Sequence, residues 1–234
     1  RLAKRLRHHG MTRFTDYLSR LERQPDAKEW EAFTNALTTN LTAFFRESHH
    51  FPLLAEHVKH KQEPVTIWCS AASTGEEPYS IAMTLLETLG AKASQAKVIA
   101  TDIDTDALAK ARKGIYPQEQ VRKLDEARVK RFFQKGTGNH IGLARVRPEV
   151  SALVEFMPLN LLAPQWPIKG PFDAIFCRNV MIYFDKETQA KILKRFAPLM
   201  KQDGLLFAGH SENFSYISDA FKLRGQTVYT LANK

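Results

Sequence analysis

The chain has 234 residues, 44% of them hydrophobic and 25% charged, which excludes disorder as its main state and allows a core without disulfide or metal staples. Its 34 Lys and Arg against 25 Asp and Glu leave a net +9, so an anionic partner is expected: nucleic acid, a membrane surface or an acidic protein. Only two cysteines, Cys69 and Cys177, are present, both in apolar runs, and they read as buried thiols rather than a disulfide framework.

The first residues, Arg1 to Arg7, are charged throughout and contain no secretory apolar stretch. Runs such as Val180 to Phe184 are far too short to span a membrane, and the expected compartment is the cytoplasm. With no initiator Met, the chain reads as a fragment. Charge is concentrated at the start: residues 1–23 carry +5 of the +9. Leu2, Leu6, Phe14, Tyr17, Leu18 and Leu21 recur at helical spacing, and Trp30, Phe33 and Leu37 continue the pattern after a turn at Pro25. This predicts two or three amphipathic helices with basic outer faces.

From about residue 64 strands and helices alternate. Val65 to Cys69 reads as a strand, Ser70 to Gly75 as a small-residue turn, and Glu76-Glu77-Pro78 opens a helix through Leu89. Lys97 to Thr101 is a strand closed by Asp102, and Thr105 to Arg112 a helix stopped by Gly114. Phe172 to Cys177, Leu205 to Ala208 and Gln226 to Leu231 read as further strands. Lys186 to Met200 reads as a helix interrupted by Pro198. The alternation predicts a parallel sheet covered by helices on both faces. One stretch breaks it. Gly136 to Gly138, Ile141 to Arg147 and Val154 to Met157 read as short strands without an intervening helix, and predict a small antiparallel insert over about 136–157.

In such a sheet ligands bind beyond the carboxyl ends of the strands. The first of these ends, Cys69 to Pro78, is neither G-x-G-x-x-G nor a P-loop, and its acids would repel a phosphate. The second ends in Thr101-Asp102-Ile103-Asp104; one carboxylate there suits ribose hydroxyls, while the other caps the following helix. Asp102 is the better ribose ligand and Asp104 the better cap. The third ends in Cys177-Arg178-Asn179, with Tyr183 and Phe184 four residues on. Asn179 and Tyr183 suit an active-site lip, and Phe184 a core aromatic. Arg46, after Phe44 and Phe45, is expected either against apolar surface or paired with an acid. The eight histidines have no zinc-site spacing; His49, His50, His57 and His60 read as solvated or capping residues. Neither cysteine has a base partner, which disfavours a cysteine nucleophile.

Taken together, Asn40 to Arg46, Ala72 to Ser80, Thr101 to Asp104, Phe176 to Phe184 and Gly209-His210-Ser211-Glu212 resemble the CheR-type chemotaxis receptor methyltransferases, over essentially the whole chain. The resemblance implies an α/β, Rossmann-like S-adenosylmethionine-dependent methyltransferase sheet over 39–234, preceded by an N-terminal helical domain over 1–38 that is shorter than the family's. It implies methyl transfer to glutamate side chains of receptor cytoplasmic helices, giving glutamate methyl esters and S-adenosylhomocysteine. The implied cofactor residues are Asn40, Thr42, Arg46, Glu77, Asp102, Asn160, Leu161, Arg178 and Asn179, with Asp102 on the ribose and Asn160-Leu161 by the adenine. Arg46 and Tyr183 would lie nearest the reacting methyl, and whether Glu76 or Glu77 faces the cofactor stays open. No metal is implied.

For partners, the resemblance implies that Arg1, Lys4, Arg5 and Arg7 face an acidic receptor bundle. It also implies that the insert binds a receptor C-terminal tail peptide by strand addition, Gly138 and Gly142 keeping the edge open and Arg145 and Arg147 meeting acidic groups. Nucleic acid and membrane insertion are not expected. A nucleic-acid methyltransferase would need a basic track interleaved with aromatics, a NAD-dependent oxidoreductase a different glycine pattern, and a non-enzymatic receptor-binding module damaged cofactor residues.

Overall fold

Apolar residues in unbroken runs, rather than alternating with polar ones, dictate strands buried on both faces. Thr66–Cys69 (β1), Lys97–Asp102 (β2) and Phe172–Cys177 (β7) have that pattern, and they form the centre of a seven-stranded sheet. The computed structural model describes residues 2–24 and 26–232. Its remaining strands are Ile115–Pro117 (β3), Phe133–Lys135 (β4), Leu143–Val146 (β5), Val154–Pro158 (β6), Met200–Ala208 (β8), Phe221–Gly225 (β9) and Val228–Leu231 (β10).

The main sheet has the order β6-β2-β1-β7-β8-β10-β9. Strands β6, β2, β1, β7 and β8 are parallel, and the β9–β10 hairpin closes one edge antiparallel. The chain runs outward from β1 through β2 to β6, then returns to β7 on the other side of β1. The carboxyl ends of β1 and β7 therefore flank a topological switch point, where open α/β sheets bind ligands.

Successive residues of β1 point to opposite faces. Ile67 and Cys69 pack with Phe51, Leu54, Ile81, Leu85 and Leu108 on one side. Trp68 packs with Ile192, Leu193 and Phe196 on the other. Cys69 and Cys177 lie in these two separate clusters, both as buried free thiols. The helices that supply these contacts are His50–Val58 (α4), Glu76–Leu89 (α5), Thr105–Lys113 (α6) and Lys186–Phe196 (α10), counting α1–α3 below and the short α7–α9 of the insert region. The last helix stops at Phe196, four residues earlier than expected. Pro198 cannot continue the ladder, and Met200 already begins β8.

The insert differs from expectation. Its sheet has the order β3-β5-β4, so it begins at Ile115 rather than 136, and Gln118–Val121 (α7) and Glu126–Phe132 (α8) lie within it. Gly136 and Thr137 are not a strand but lead from β4 into a single helical turn over Gly138–His140. After Pro148–Ser151 (α9), the segment over 154–158 leaves the insert and pairs parallel with β2, Val98 opposite Val154 through Asp102 opposite Pro158. A half-buried five-residue strand has the same sequence pattern in either sheet, which is why pattern alone misplaces it. Strand β9, with Lys222, Leu223 and Arg224 exposed, carries no apolar run and was not expected.

Before the sheet stand Leu2–His8 (α1), Phe14–Arg23 (α2) and Ala27–Leu37 (α3). Arg1 and the expected turn at Pro25 lie outside the described residues. Glu29 ties the three helices together. It accepts hydrogen bonds from the Tyr17 hydroxyl and Arg5, and His9 Nε2 lies 2.9 Å from it. Arg5 thus serves the bundle rather than an outer face; Lys4 and Arg7 are exposed. Burial pushes the Glu29 carboxyl up, but the bonds from Tyr17, Arg5 and His9 outweigh it and hold its pKa down at about 2. A depressed carboxylate stabilises fully above its unfolded value of 4.5, and this contribution is lost as pH falls toward 2. Glu29→Gln is therefore expected to flatten the acid dependence of helix content and amide protection in residues 2–37 over that window. Parallel pH curves for variant and wild type would remove Glu29 from the account.

Candidate active site

Beyond the carboxyl ends of β1, β2 and β7 lies a cleft of about 420 Å³, the scale of a small-molecule site. All ten residues named from the sequence line it: Asn40, Thr42, Arg46, Glu77, Asp102, Asn160, Leu161, Arg178, Asn179 and Tyr183. The end of α3 supplies one wall. Asn35 bonds Thr105 at 3.0 Å and the Thr38 hydroxyl donates to Asp104, so the helical bundle is pinned to the start of α6.

The two acids after β2 divide their work. Asp104 caps α6 by accepting from Ala107 N at 2.9 Å, and also accepts from Asn40 Nδ2 at 2.7 Å. Asp102 accepts from Ser73 N at 2.7 Å and Asp104 N at 2.9 Å. Burial pushes the Asp102 carboxyl above its usual range against the pull of these two bonds. Each of its oxygens keeps a further acceptor site, and the side chain lines the cleft. Asn40, by contrast, spends its amide on the frame, since its Oδ1 also accepts from Ser73 Oγ.

The acidic pair that opens α5 divides likewise. Glu76 turns away and accepts from the Thr74 hydroxyl at 2.6 Å. Glu77 faces the cleft, 3.4 Å from Arg178 Nη1 and 3.4 Å from Cys69 Sγ. Burial raises the Glu77 carboxyl, with the Arg178 charge opposing it. Arg178 is itself buried, and its Nε and Nη1 have no hydrogen-bond partner. Gly75, just before the pair, has φ +101° and leaves 2.7 Å between an added Cβ and the Tyr116 hydroxyl, so only glycine makes this turn.

Backbone strain gathers around the cleft. Phe45, Glu47, Ser73 and Asn179 all have left-handed φ between 51° and 57°. At the β7 end one carboxylate holds this geometry. Glu212, buried, accepts backbone N–H bonds from Asn179, Val180, Met181 and Gly209 at 2.6–3.0 Å. Gly209 must lack a side chain, because a Cβ there would lie 2.4 Å from Asn179 Nδ2.

The rim is more open. Arg46 Nη1 donates to Leu41 O at 2.7 Å; neither expectation for it, an apolar bed or an acid partner, describes that bond. Tyr183, on a single turn over Met181–Tyr183, is 63% exposed at the mouth. Phe184 packs on the second core cluster and also lines the cleft. Asn160 accepts from Leu162 N at 2.8 Å, which turns the chain so that buried Leu161 lines the wall.

The histidines need correction. His49 and His60 are exposed and His57 half-buried, but His50 is fully buried, its Nε2 3.0 Å from Gln226 O. Burial, then the nearby Arg178 charge, pushes its pKa down to about 4, so it is a neutral structural residue at neutral pH. Two acids with no role assigned from the sequence, Glu47 and Glu212, also belong to the site. The sequence signal for Glu212 was its place in the Gly209-His210-Ser211-Glu212 motif, and for Glu47 only its position directly after the Asn40 to Arg46 motif.

A family model described as the CheR methyltransferase SAM binding domain matches residues 40–230, and one described as the CheR methyltransferase all-alpha domain matches 1–38. A chemotaxis protein methyltransferase of Escherichia coli is 60% identical across 99% of this chain and 81% of its own length. One of Klebsiella aerogenes is 61% identical across all of this chain and 81% of its own, and chemotaxis protein methyltransferase 2 of Pseudomonas aeruginosa is 52% identical across 99% and 83%. A cleft at the switch point, walled on one side by a helical bundle, and a family match over nearly every residue lead to one conclusion: the chain belongs to the CheR methyltransferase family.

Proposed function

We propose that this protein transfers a methyl group from S-adenosylmethionine to glutamate carboxylates on the cytoplasmic helices of chemotaxis receptors, forming the methyl esters used in sensory adaptation. The observation that carries the reading is the placing, in one cleft, of Asp102 and a buried Arg178 whose Nε and Nη1 make no hydrogen bond, with Glu77 3.4 Å from Nη1. These groups fit a zwitterionic nucleoside. A carboxylate with spare acceptor sites suits ribose hydroxyls, guanidinium donors that make no hydrogen bond suit a carboxylate, and Glu77 suits an ammonium.

When bound, S-adenosylmethionine supplies an electrophilic methyl on a sulfonium cation. Asp102 holds the ribose, Asn160 and Leu161 flank the adenine, and Asn40 and Thr42 shape the wall that faces them. Glu77, Arg178 and Asn179 hold the amino-acid end. No residue has to remove a proton, because a glutamate carboxylate, with a free pKa of about 4.3, is already ionised at neutral pH. Arg46 and Tyr183 orient it, and the apolar rim thins its water shell, so alignment and partial desolvation are what the chain contributes. Tight pairing with Arg46 would blunt the nucleophile; its guanidinium is partly occupied by Leu41 O, and neutral Tyr183 shares the task.

The proposal places the protein in the cytoplasm, where the receptor helices are. Among the described residues no helix is long and apolar enough to cross a membrane. Exposed Lys4 and Arg7 would meet the acidic receptor surface. The receptor's C-terminal tail would add to an edge of the β3-β5-β4 sheet, with exposed Arg145 nearby and open space where side chains on Gly138 and Gly142 would otherwise stand.

One experiment tests these roles together: methyl transfer to a receptor cytoplasmic fragment with and without its tail, alongside calorimetry with S-adenosylhomocysteine. Arg46→Ala and Tyr183→Phe are expected to lower turnover more than cofactor affinity. Tail deletion is expected to slow methylation at low receptor concentration and leave that affinity unchanged, because tethering raises the effective substrate concentration to about the millimolar range. Normal turnover at saturating substrate would remove either residue from the reacting centre.

A further inference from the structure

Glu47 directly follows Arg46, in a backbone conformation with φ +52°, and its side chain is only 10% exposed. Its carboxylate gathers three separate segments of the chain. Oε1 accepts from Asn179 Nδ2 at 3.2 Å and lies 3.1 Å from His210 Nδ1. Oε2 accepts from His210 N at 3.1 Å and lies 3.7 Å from Arg178 Nη2. The loop before α4, the carboxyl end of β7 and the carboxyl end of β8 thus meet on one side chain.

Charge at this point is finely set. Buried Arg178 has two carboxylates near it, Glu77 at 3.4 Å and Glu47 at 3.7 Å, and the backbone carbonyl of Arg46 as a further acceptor. Burial pushes the Glu47 carboxyl up, but the His210 hydrogen bonds, the Arg178 charge and the Asn179 amide bring it below the usual range, so it stays ionised at neutral pH. A buried guanidinium stays charged, so its partners must offset its lost hydration and fix its direction. Nη2 donates to the Arg46 carbonyl with the Glu47 carboxylate 3.7 Å away, Nη1 lies 3.4 Å from Glu77, and Nε and Nη1 make no hydrogen bond.

We infer that Glu47 is a positioning residue for methyl transfer: its carboxylate fixes Arg178 and Asn179 in the orientation that receives the cofactor's amino-acid end, and ties them to His210 beyond β8. Glu47 does not itself line the cleft. It acts through residues that do, and its effect must therefore depend on them.

The inference rests on the cofactor reading above, and wild-type binding of S-adenosylhomocysteine tests that reading separately. In calorimetry, Glu47→Gln is expected to bind S-adenosylhomocysteine at least tenfold more weakly than wild type. In an Arg178→Gln background the same change is expected to cost less than threefold, because the charged one of the two groups it positions is gone and only the Asn179 contact remains. Thermal unfolding run in parallel separates affinity from folding. Wild-type affinity in the folded Glu47→Gln protein overturns the inference, as does an equal fold-loss in both backgrounds. Should Glu47→Gln not fold, Glu47→Asp carries the test. It keeps the charge but loses a methylene of reach to Asn179 and His210, and is expected to bind at least fivefold more weakly; wild-type affinity there overturns the inference equally.

Discussion

Asp102→Ala is expected to weaken binding of S-adenosylhomocysteine by about 10- to 100-fold while the protein stays folded. A carboxylate that accepts two hydroxyls in a partly buried site contributes about 1.5–3 kcal/mol, and each 1.4 kcal/mol is about tenfold in affinity. The side chain also holds Ser73 N and Asp104 N, so part of the loss will come through the loop between β1 and α5. Asp102→Asn divides the two contributions. Its one carbonyl oxygen can keep a backbone bond, but its amide cannot accept a second hydroxyl. An affinity near wild type for the asparagine variant would place the whole effect in the loop. Calorimetry showing unchanged affinity for the alanine variant would take the ribose away from Asp102 altogether.

The division between Asp102 and Asp104 was legible because both signals are local. One acid closes a strand and the other stands at cap spacing before a helix. Arg178 and Asn179 were legible for the same reason, as polar residues at the end of an apolar strand. Glu47 and Glu212 were not. Asn179, which both of them hold, lies 132 residues from Glu47 and 33 from Glu212, and no period or spacing reports on contacts of that kind. The choice between Glu76 and Glu77 also needed the fold: both sit in the first turn of α5, and only the direction of the helix sends one into the cleft and the other to Thr74. His50 was misread because a doublet of histidines before a helix looks solvated. The hairpin turn at Gln226 and Thr227, remote in sequence, is what buries it.

Glu212 carries the largest expected effect on stability. Its two oxygens receive four backbone N–H groups, from Gly209 at the end of β8 and from Asn179, Val180 and Met181 beyond β7. No other side chain joins these two strand ends by so many bonds among the described residues. Asn179 stands there at φ +57°, a conformation the surrounding bonds must maintain. Glu212→Ala leaves four donors without their acceptor in a site where the side chain is almost fully buried. At about 1–3 kcal/mol for each unsatisfied buried group, partly relieved by water entering, the expected loss is about 3–5 kcal/mol of unfolding free energy. Glu212→Gln should do little better. Only one of its two terminal atoms can accept, and its amide would point N–H groups at the N–H groups it must serve. Urea unfolding measures the first effect. Calorimetry on the folded fraction measures the second, a weaker hold on S-adenosylhomocysteine as Asn179 loses its fixed backbone. A glutamine variant within about 1 kcal/mol of wild type would show that the four bonds are dispensable and that packing around Gly209 alone sets the shape of the cleft.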